Sequence, residues 1–197
     1  ISMKKLLTVL VIVAMLVTSI APVLVVSAAG TGVTVASADI TRYIDTSAEM
    51  TDLATVSLEQ NPGVSTLHLL VYYDYNQVDI SDVTPAAAYS DITSVSLNRR
   101  STASAVKNFF TAAGITPATN IRCADVTIEN PDDDFTSVGE LFKANFIVRA
   151  DLSKATEGVS YDWGIIVAEA LNVAGDEVEV VNSHVQYKYN LNIDPYA

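Results

Sequence analysis

Residues 61–74, with the sequence NPGVSTLHLLVYYD, join a turn to a strand. Proline presets φ and glycine accepts a positive φ, so Asn61-Pro62-Gly63 indicates a turn. From Val64 to Tyr73 the alternation predicts a strand that is half or fully buried. One face of that strand carries Leu67, Leu69, Val71 and Tyr73, and the other carries Thr66, His68, Leu70 and Tyr72.

Similar strand patterns flank this stretch on both sides. One runs from Ala54 to Gln60, and another contains Val78 and Ile80 and ends at Pro85. Further strands are predicted at Asn120–Glu129, Glu140–Ala150, Ser160–Ala168 and Glu177–Tyr189. Many short strands separated by turns are typical of a β-sandwich or barrel, so a mainly β fold is expected.

The segment from Ser101 to Ala113 has a different periodicity. Its apolar residues recur at helical spacing, at Val106, Phe109, Phe110 and Ala113. Ser101 or Thr102 would cap the N-terminus, and Gly114 stands where a left-handed residue ends a helix. The sequence therefore predicts one short helix among the strands.

The order of these motifs resembles the cohesin family of extracellular β-sandwich modules. The resemblance rests on the turn Asn61–Val64, the strand closing on Tyr73-Asp74, and the apolar residues Val78, Ile80 and Val83. In the second half it rests on Gly139–Phe142, Ala144–Val148, Gly158–Ser160 and Val180–Val185. It implies a jelly-roll β-sandwich of the type found in cohesins and carbohydrate-binding modules.

The resemblance also implies a partner. Cohesins are non-catalytic adaptors that bind a dockerin, a small calcium-binding helical module on another secreted protein, as in cellulosome assembly. Recognition uses one flat sheet face, and the residues carried over to it are Thr66, His68, Leu70 and Tyr72. The family often has Asn and Asp where Thr66 and His68 stand, so the polarity of the contact differs here. Alternatively, the helix Ser101–Ala113 covers Leu70 and Tyr72.

The N-terminal residues from Met3 to Ala28 have the three parts of a secretory signal peptide. Lys4 and Lys5 precede the apolar run Leu6–Val26, which closes on the small residues Val26-Ser27-Ala28. The alternative is a retained transmembrane anchor, since about 20 apolar residues span a bilayer. We expect a secreted or cell-surface protein, with a signal peptide at 1–28, a leader and first edge strand at 29–53, and one domain at 54–197.

The charge balance argues against nucleic acid as a partner. The 197 residues include 11 basic and 23 acidic side chains. Removing Lys4 and Lys5 with the leader leaves 9 basic against 23 acidic, a net charge of −14. Such a chain repels phosphate backbones and anionic membranes, so a membrane contact is expected only if the N-terminal segment is retained.

The sequence contains little that suggests catalysis. Its two histidines, His68 and His184, lie in predicted strands with no nucleophile at a triad spacing, so we expect no catalytic residue and no enzyme. Cys123 is the single cysteine, which excludes an internal disulfide and favours a core position. No cofactor is expected. Any calcium is expected on the partner. Asp132, Asp133 and Asp134 form either a weak calcium site or a solvated acidic turn.

Two other functions stay open at this point. A structural or adhesive subunit could self-associate by strand pairing through a sheet edge or the leader Ala29–Asp39. A carbohydrate-binding module would need exposed aromatic rings, for which Trp163, Tyr187, Tyr189 and Tyr196 are candidates.

Overall fold

The computed structural model describes residues 31–44, 52–151 and 158–193. In chain order the strands are β1 (Thr34–Ala36), β2 (Ile40–Ile44), β3 (Leu53–Gln60), β4 (Thr66–Asp74), β5 (Val78–Pro85), β6 (Thr93–Arg100), β7 (Ile121–Glu129), β8 (Gly139–Val148), β9 (Val159–Leu171) and β10 (His184–Ile193). A short 3₁₀ helix, Ala87–Ile92, precedes β6, and the helix α1, Lys107–Ala112, lies between β6 and β7.

These strands form two sheets. One has four strands in the order β1-β3-β8-β5, and the other has six in the order β2-β10-β9-β4-β7-β6. Neighbouring strands are antiparallel except β2 and β10, which are parallel. The mainly β jelly-roll sandwich expected from the sequence is confirmed.

The core lies between the sheets and follows from the alternation in β4. Leu67, Leu69, Val71 and Tyr73 are fully buried on its inner face. Strands β8, β9 and β10 add an aromatic group in which the Phe146 ring lies 5.0 Å from Trp163 and 6.0 Å from Tyr189. Contacts of this kind between large rings contribute strongly to the stability of a sandwich that has no disulfide.

Burial of the aromatic residues removes most candidates for sugar stacking. Trp163 and Tyr189 are fully buried, so neither presents a ring face to solvent. Tyr187 is half-buried and packs on Trp163 with a centroid separation of 4.8 Å. Tyr196 lies outside the described residues.

The Asn61-Pro62-Gly63 turn ties two loops together at one end of the sandwich. Gly63 has φ +121°, a value that residues other than glycine rarely adopt. The Asn61 side-chain amide donates hydrogen bonds to the backbone carbonyls of Phe135 at 2.8 Å and Ser137 at 3.1 Å. The turn therefore fixes the segment between β7 and β8 as well as the start of β4.

Most predicted strands are found within a few residues of their expected bounds; one strand was not predicted, and two expectations were wrong. Strand β6 was not predicted, although Val95 and Leu97 alternate with Ser94 and Ser96; its side chains are mostly exposed. The last strand begins at His184 rather than Glu177, since Glu177 and Val180 form only isolated bridges after a turn at Gly175. Neither Ser101 nor Thr102 caps α1, which begins six residues later than expected.

The proposed signal peptide at 1–28 lies outside the described residues and stays a prediction, as do the domain bounds. Within the leader, Thr34–Ala36 forms the edge strand β1. Among the described residues no helix has the length and apolar character needed to cross a membrane.

Candidate partner-binding surface

The outer face of the six-stranded sheet is partly covered by the connection between β6 and β7. We call this connection, residues 101–118, the cap. It includes α1 and lies over strands β9, β4 and β7. The short helix was expected from the sequence, and its position over this face was the alternative considered for Leu70 and Tyr72.

The two ends of the cap are joined by a pair of reciprocal hydrogen bonds. The Ser101 hydroxyl donates to the carbonyl of Ala118 at 2.9 Å and accepts from the Ala118 backbone N–H at 3.0 Å. The Ser101 backbone N–H donates to the carbonyl of Ile121 at 3.0 Å. Ser101 is fully buried. The residue that was predicted to end the helix at its N-terminus therefore joins the two ends of residues 101–118 instead.

A small apolar cluster holds the cap on the sheet. Val106 and Phe110 from the cap are fully buried against Leu70, Tyr72, Cys123 and Ile166 from β4, β7 and β9. The Phe110 ring meets the Tyr72 ring edge-on at 5.9 Å. Because burying a Val or Phe side chain contributes roughly 1.5–3 kcal/mol, this cluster makes the cap a stable part of the fold.

Cys123 lies beneath the cap. It is fully buried, and its burial raises the pKa of the thiol to about 12. A thiol with so high a pKa has almost no thiolate at neutral pH and is a poor nucleophile. The expectation that Cys123 is a core residue is confirmed.

Gly164 on β9 makes room for the Tyr72 ring. A Cβ atom at this position would lie 2.6 Å from Tyr72 Cε1 and 2.6 Å from the Val185 carbonyl oxygen. Cβ atoms essentially never approach non-bonded atoms this closely. Glycine at 164 is therefore required for the Tyr72 ring to occupy this position.

The Tyr72 hydroxyl contacts Nε2 of His184 on β10 at 2.7 Å. Burial raises the pKa of Tyr72 to about 12, and Asp162 adds to this effect. Burial also lowers the pKa of His184. Both groups are therefore uncharged at neutral pH, and their contact fixes the Tyr72 ring at the edge of the cap.

A charged network lies at the other side of the cap. Asp125 on β7 places one carboxylate oxygen 2.6 Å from His68 Nε2 and the other 2.7 Å from Arg99 Nε. Phe109 from the cap meets the His68 ring edge-on at 5.4 Å. His68 and Asp125 lie diagonally across the neighbouring strands β4 and β7, where Asp125 is opposite Leu70. This neighbourhood is set by strand order, so the sequence spacing gave no signal for it.

The structure places the four predicted contact residues on one face but in different environments. Leu70 is fully buried and Tyr72 is 7% exposed, so the helix covers both, as the alternative held. Thr66 and His68 are half-buried at the margin of the cap. Their role in binding a partner stays a prediction, and only Thr66 and His68 lie where a partner could contact them while the cap is in place.

A cleft of about 550 Å³ opens beside the C-terminal end of the cap. Its walls include Ile115 and Ile121 on the cap side, and Asp162 and Gln186 on the side of β9 and β10. The carboxylate of Asp162 is paired with Lys188. The cleft has mixed polarity and lies on the same outer face as the cap.

The acidic turn after β7 forms a hydrogen bond within the protein. One Asp134 carboxylate oxygen accepts a hydrogen bond from the Val173 backbone N–H at 2.7 Å. Asp132 and Asp133 are exposed. Within residues 31–44, 52–151 and 158–193, no group of three or more His, Cys, Asp or Glu side chains is placed to hold a metal ion.

The His68–Asp125 pair has one element of a catalytic arrangement. A histidine oriented by a carboxylate is part of many hydrolase sites, but such sites also need a nucleophile within hydrogen-bond reach of the other ring nitrogen. Here Arg99 neutralises Asp125, and Phe109 packs against the imidazole. A stable, capped sheet face flanked by charged residues is an arrangement suited to binding a protein.

The arrangement of the two sheets is that of the cohesin fold. A type I cohesin of OlpC from Clostridium thermocellum, solved in a complex with a dockerin, superposes with a TM-score of 0.59 at 11% identity, covering 84% of this chain and 97% of that one. A non-cellulosomal cohesin from the archaeon Archaeoglobus fulgidus gives 0.53 at 14% identity, covering 84% and 93%.

A third solved structure has the same fold. The third cohesin of ScaC from Acetivibrio cellulolyticus, in complex with the ScaB dockerin, gives a TM-score of 0.53 at 15% identity, covering 82% of this chain and 98% of that one. No protein-family model matches the chain. No curated protein matches it either. The similarity to these three structures is thus one of fold, at sequence identities of 11–15%.

Proposed function

We propose that this protein is a non-catalytic extracellular adaptor that binds a dockerin-type module on another secreted protein. The observation that carries the proposal is the cohesin fold over more than four-fifths of the chain. The solved structures with this fold include two in complex with dockerins. The outer face of the six-stranded sheet, with its cap, is the proposed contact region.

The chemistry of that region supports binding rather than turnover. Its polar groups are already paired with each other, as in the Tyr72–His184 and His68–Asp125 contacts. Its apolar groups are packed beneath the cap. A preorganised surface of this kind loses little conformational entropy when a partner docks. Any calcium would be held by the partner module, and the N-terminal segment would direct export to the medium or cell surface.

Calorimetric titration tests the proposal. The full chain, produced in a host that processes export signals, would be titrated with a panel of calcium-loaded dockerins from the same organism. We expect one-to-one binding to at least one dockerin and loss of binding when calcium is chelated. Absence of binding across the whole panel would overturn the proposal.

A further inference from the structure

The cleft beside the C-terminal end of the cap has an acidic lining. The described residues that line it include Asp74 on β4 and Asp162 on β9, and no lysine or arginine is among them. His184 also lines the cleft, but burial lowers its pKa, so it carries no positive charge at neutral pH. The charge of the cleft is therefore negative.

The strand register sets the two carboxylates side by side on the outer face of the sheet. Tyr73 on β4 is opposite Trp163 on β9. The next pair along these antiparallel strands is therefore Asp74 and Asp162. Asp74 is two positions from Tyr72 and shares its face, because side chains alternate along a strand. Like charges at neighbouring positions of two strands repel each other, so a cation between them would be favourable.

Within the part of the chain that the structure describes, only one of these two carboxylates has a cationic partner. Asp162 is paired with Lys188, which is opposite it on β10. Strand β10 lies on the side of β9 away from β4. Asp74 accepts a hydrogen bond from the Asn76 backbone N–H at 2.9 Å, and the ion pairs of the described residues do not include it. Negative charge at Asp74 is thus left for an external cation.

The wall of the cleft on the cap side is apolar and held in place. Ile121 on β7 is opposite Asp74, and both Ile121 and Ile115 pack on the cluster beneath the cap. The Ile115 backbone N–H donates to the carbonyl of Phe110 at 2.9 Å. Lysine and arginine side chains lay their aliphatic part on apolar surface and keep the charged end at polar groups. An apolar wall next to two carboxylates complements a side chain of this kind.

We propose that this cleft receives a basic side chain, an arginine or a lysine, of the partner. The inference rests on the proposed function, because it names the group by which the partner module would be held on the capped face. The 23 acidic against 9 basic side chains of residues 29–197 would attract a basic partner at long range. A sugar fits less well, because sugar faces stack on exposed aromatic rings and the Tyr72 residue in the cleft is 7% exposed.

A small cation tests the cleft without any partner protein. Butylguanidinium, which joins a cationic head to an apolar stem, would be titrated into the protein and followed by ¹H–¹⁵N NMR, with neutral butylurea as the control ligand. We expect the amide signals of Gly114, Ile121 and Gln186 to shift with butylguanidinium and not with butylurea. Absence of shifts at the cleft, or equal shifts with both ligands, would overturn the inference.

Two variants of equal charge show whether the carboxylates of the cleft are responsible. Asp74→Asn/Asp162→Asn keeps the size of both side chains and should weaken binding of butylguanidinium about fivefold or more. Asp82→Asn/Asp91→Asn removes two exposed carboxylates outside the cleft and should leave it within about twofold. The same loss in both variants would show that the net charge of the protein, and not the cleft, binds the cation.

The dockerin panel separates this inference from the proposed function. For a dockerin that binds the wild type, we expect Asp74→Asn/Asp162→Asn to lose about tenfold in affinity and the control variant to stay within about twofold. Equal affinities of the wild type and the cleft variant would show the inference to be wrong while the adaptor proposal stands. If no dockerin binds but butylguanidinium follows the expected pattern, the adaptor proposal fails and the site for a basic group stands.

Discussion

At the scale of single residues, Gly164 shows how one missing side chain shapes the candidate surface. The Tyr72 ring occupies the space that a Cβ atom would need. We expect Gly164→Ala to destabilise the protein by about 1–3 kcal/mol, the usual cost of overpacking a close contact. Chemical denaturation monitored by fluorescence would measure it.

A double-mutant cycle with Tyr72→Leu provides the control for Gly164→Ala. If the ring is the main obstacle, the two substitutions should be non-additive, because the smaller side chain relieves part of the clash. Unchanged stability in Gly164→Ala alone would show that the ring does not lie on this glycine.

His184 predicts a dependence of stability on pH. Burial lowers its pKa from the ordinary value of 6.5, so the folded protein binds this proton less readily than the unfolded chain. The free energy of unfolding should therefore fall as the pH drops below about 6.5. Urea denaturation at pH 7.5 and 5.5 should show a smaller loss of stability in His184→Gln than in the wild type. Equal losses in both proteins would rule out this contribution.

At the scale of elements, Cys123 lies beneath the cap and reports on the position of the cap. Phe110→Ala should cost about 3–5 kcal/mol because it empties a fully buried site. It should also raise the rate at which a thiol reagent modifies Cys123 in the native protein, since cap opening alone exposes the sulfur.

The matched control for the cap is Phe142→Ala, a fully buried phenylalanine on β8 of the four-stranded sheet. It should lower global stability comparably without accelerating thiol modification under strongly native conditions. Equal acceleration in both variants would mean that Cys123 is exposed only by global unfolding, and the cap would then not open as a unit.

The structure of the cap was predicted only in part from the sequence. The apolar spacing of Val106, Phe109 and Phe110 predicted a helix because local periodicity encodes it. The start of the helix was misplaced, because Ser101 bonds to Ala118, a residue 17 positions away. Strand β6 was missed because its alternation is short, with Val95 and Leu97 as its apolar residues, and its side chains are largely exposed. Pairing with β7 holds it in the sheet.

At the scale of the whole molecule, the sequence was most informative where alternation and turn chemistry agree. The turn at Asn61–Gly63 and the inner row Leu67, Leu69, Val71 and Tyr73 determined the central strand and the core. The candidate surface was harder to predict from the sequence, because Arg99, Asp125 and His68 come together only through the strand order β4-β7-β6.

Hydrogen exchange of the complex with the tightest-binding dockerin of the panel, read by mass spectrometry, would locate the surface that the partner covers. If the capped outer face binds the partner, amides in β6 and the cap, residues 93–118, should exchange more slowly in the complex than in the free protein. Protection confined to β5 and β8 of the four-stranded sheet, or no protection in any described strand, would show that the capped outer face does not bind the partner.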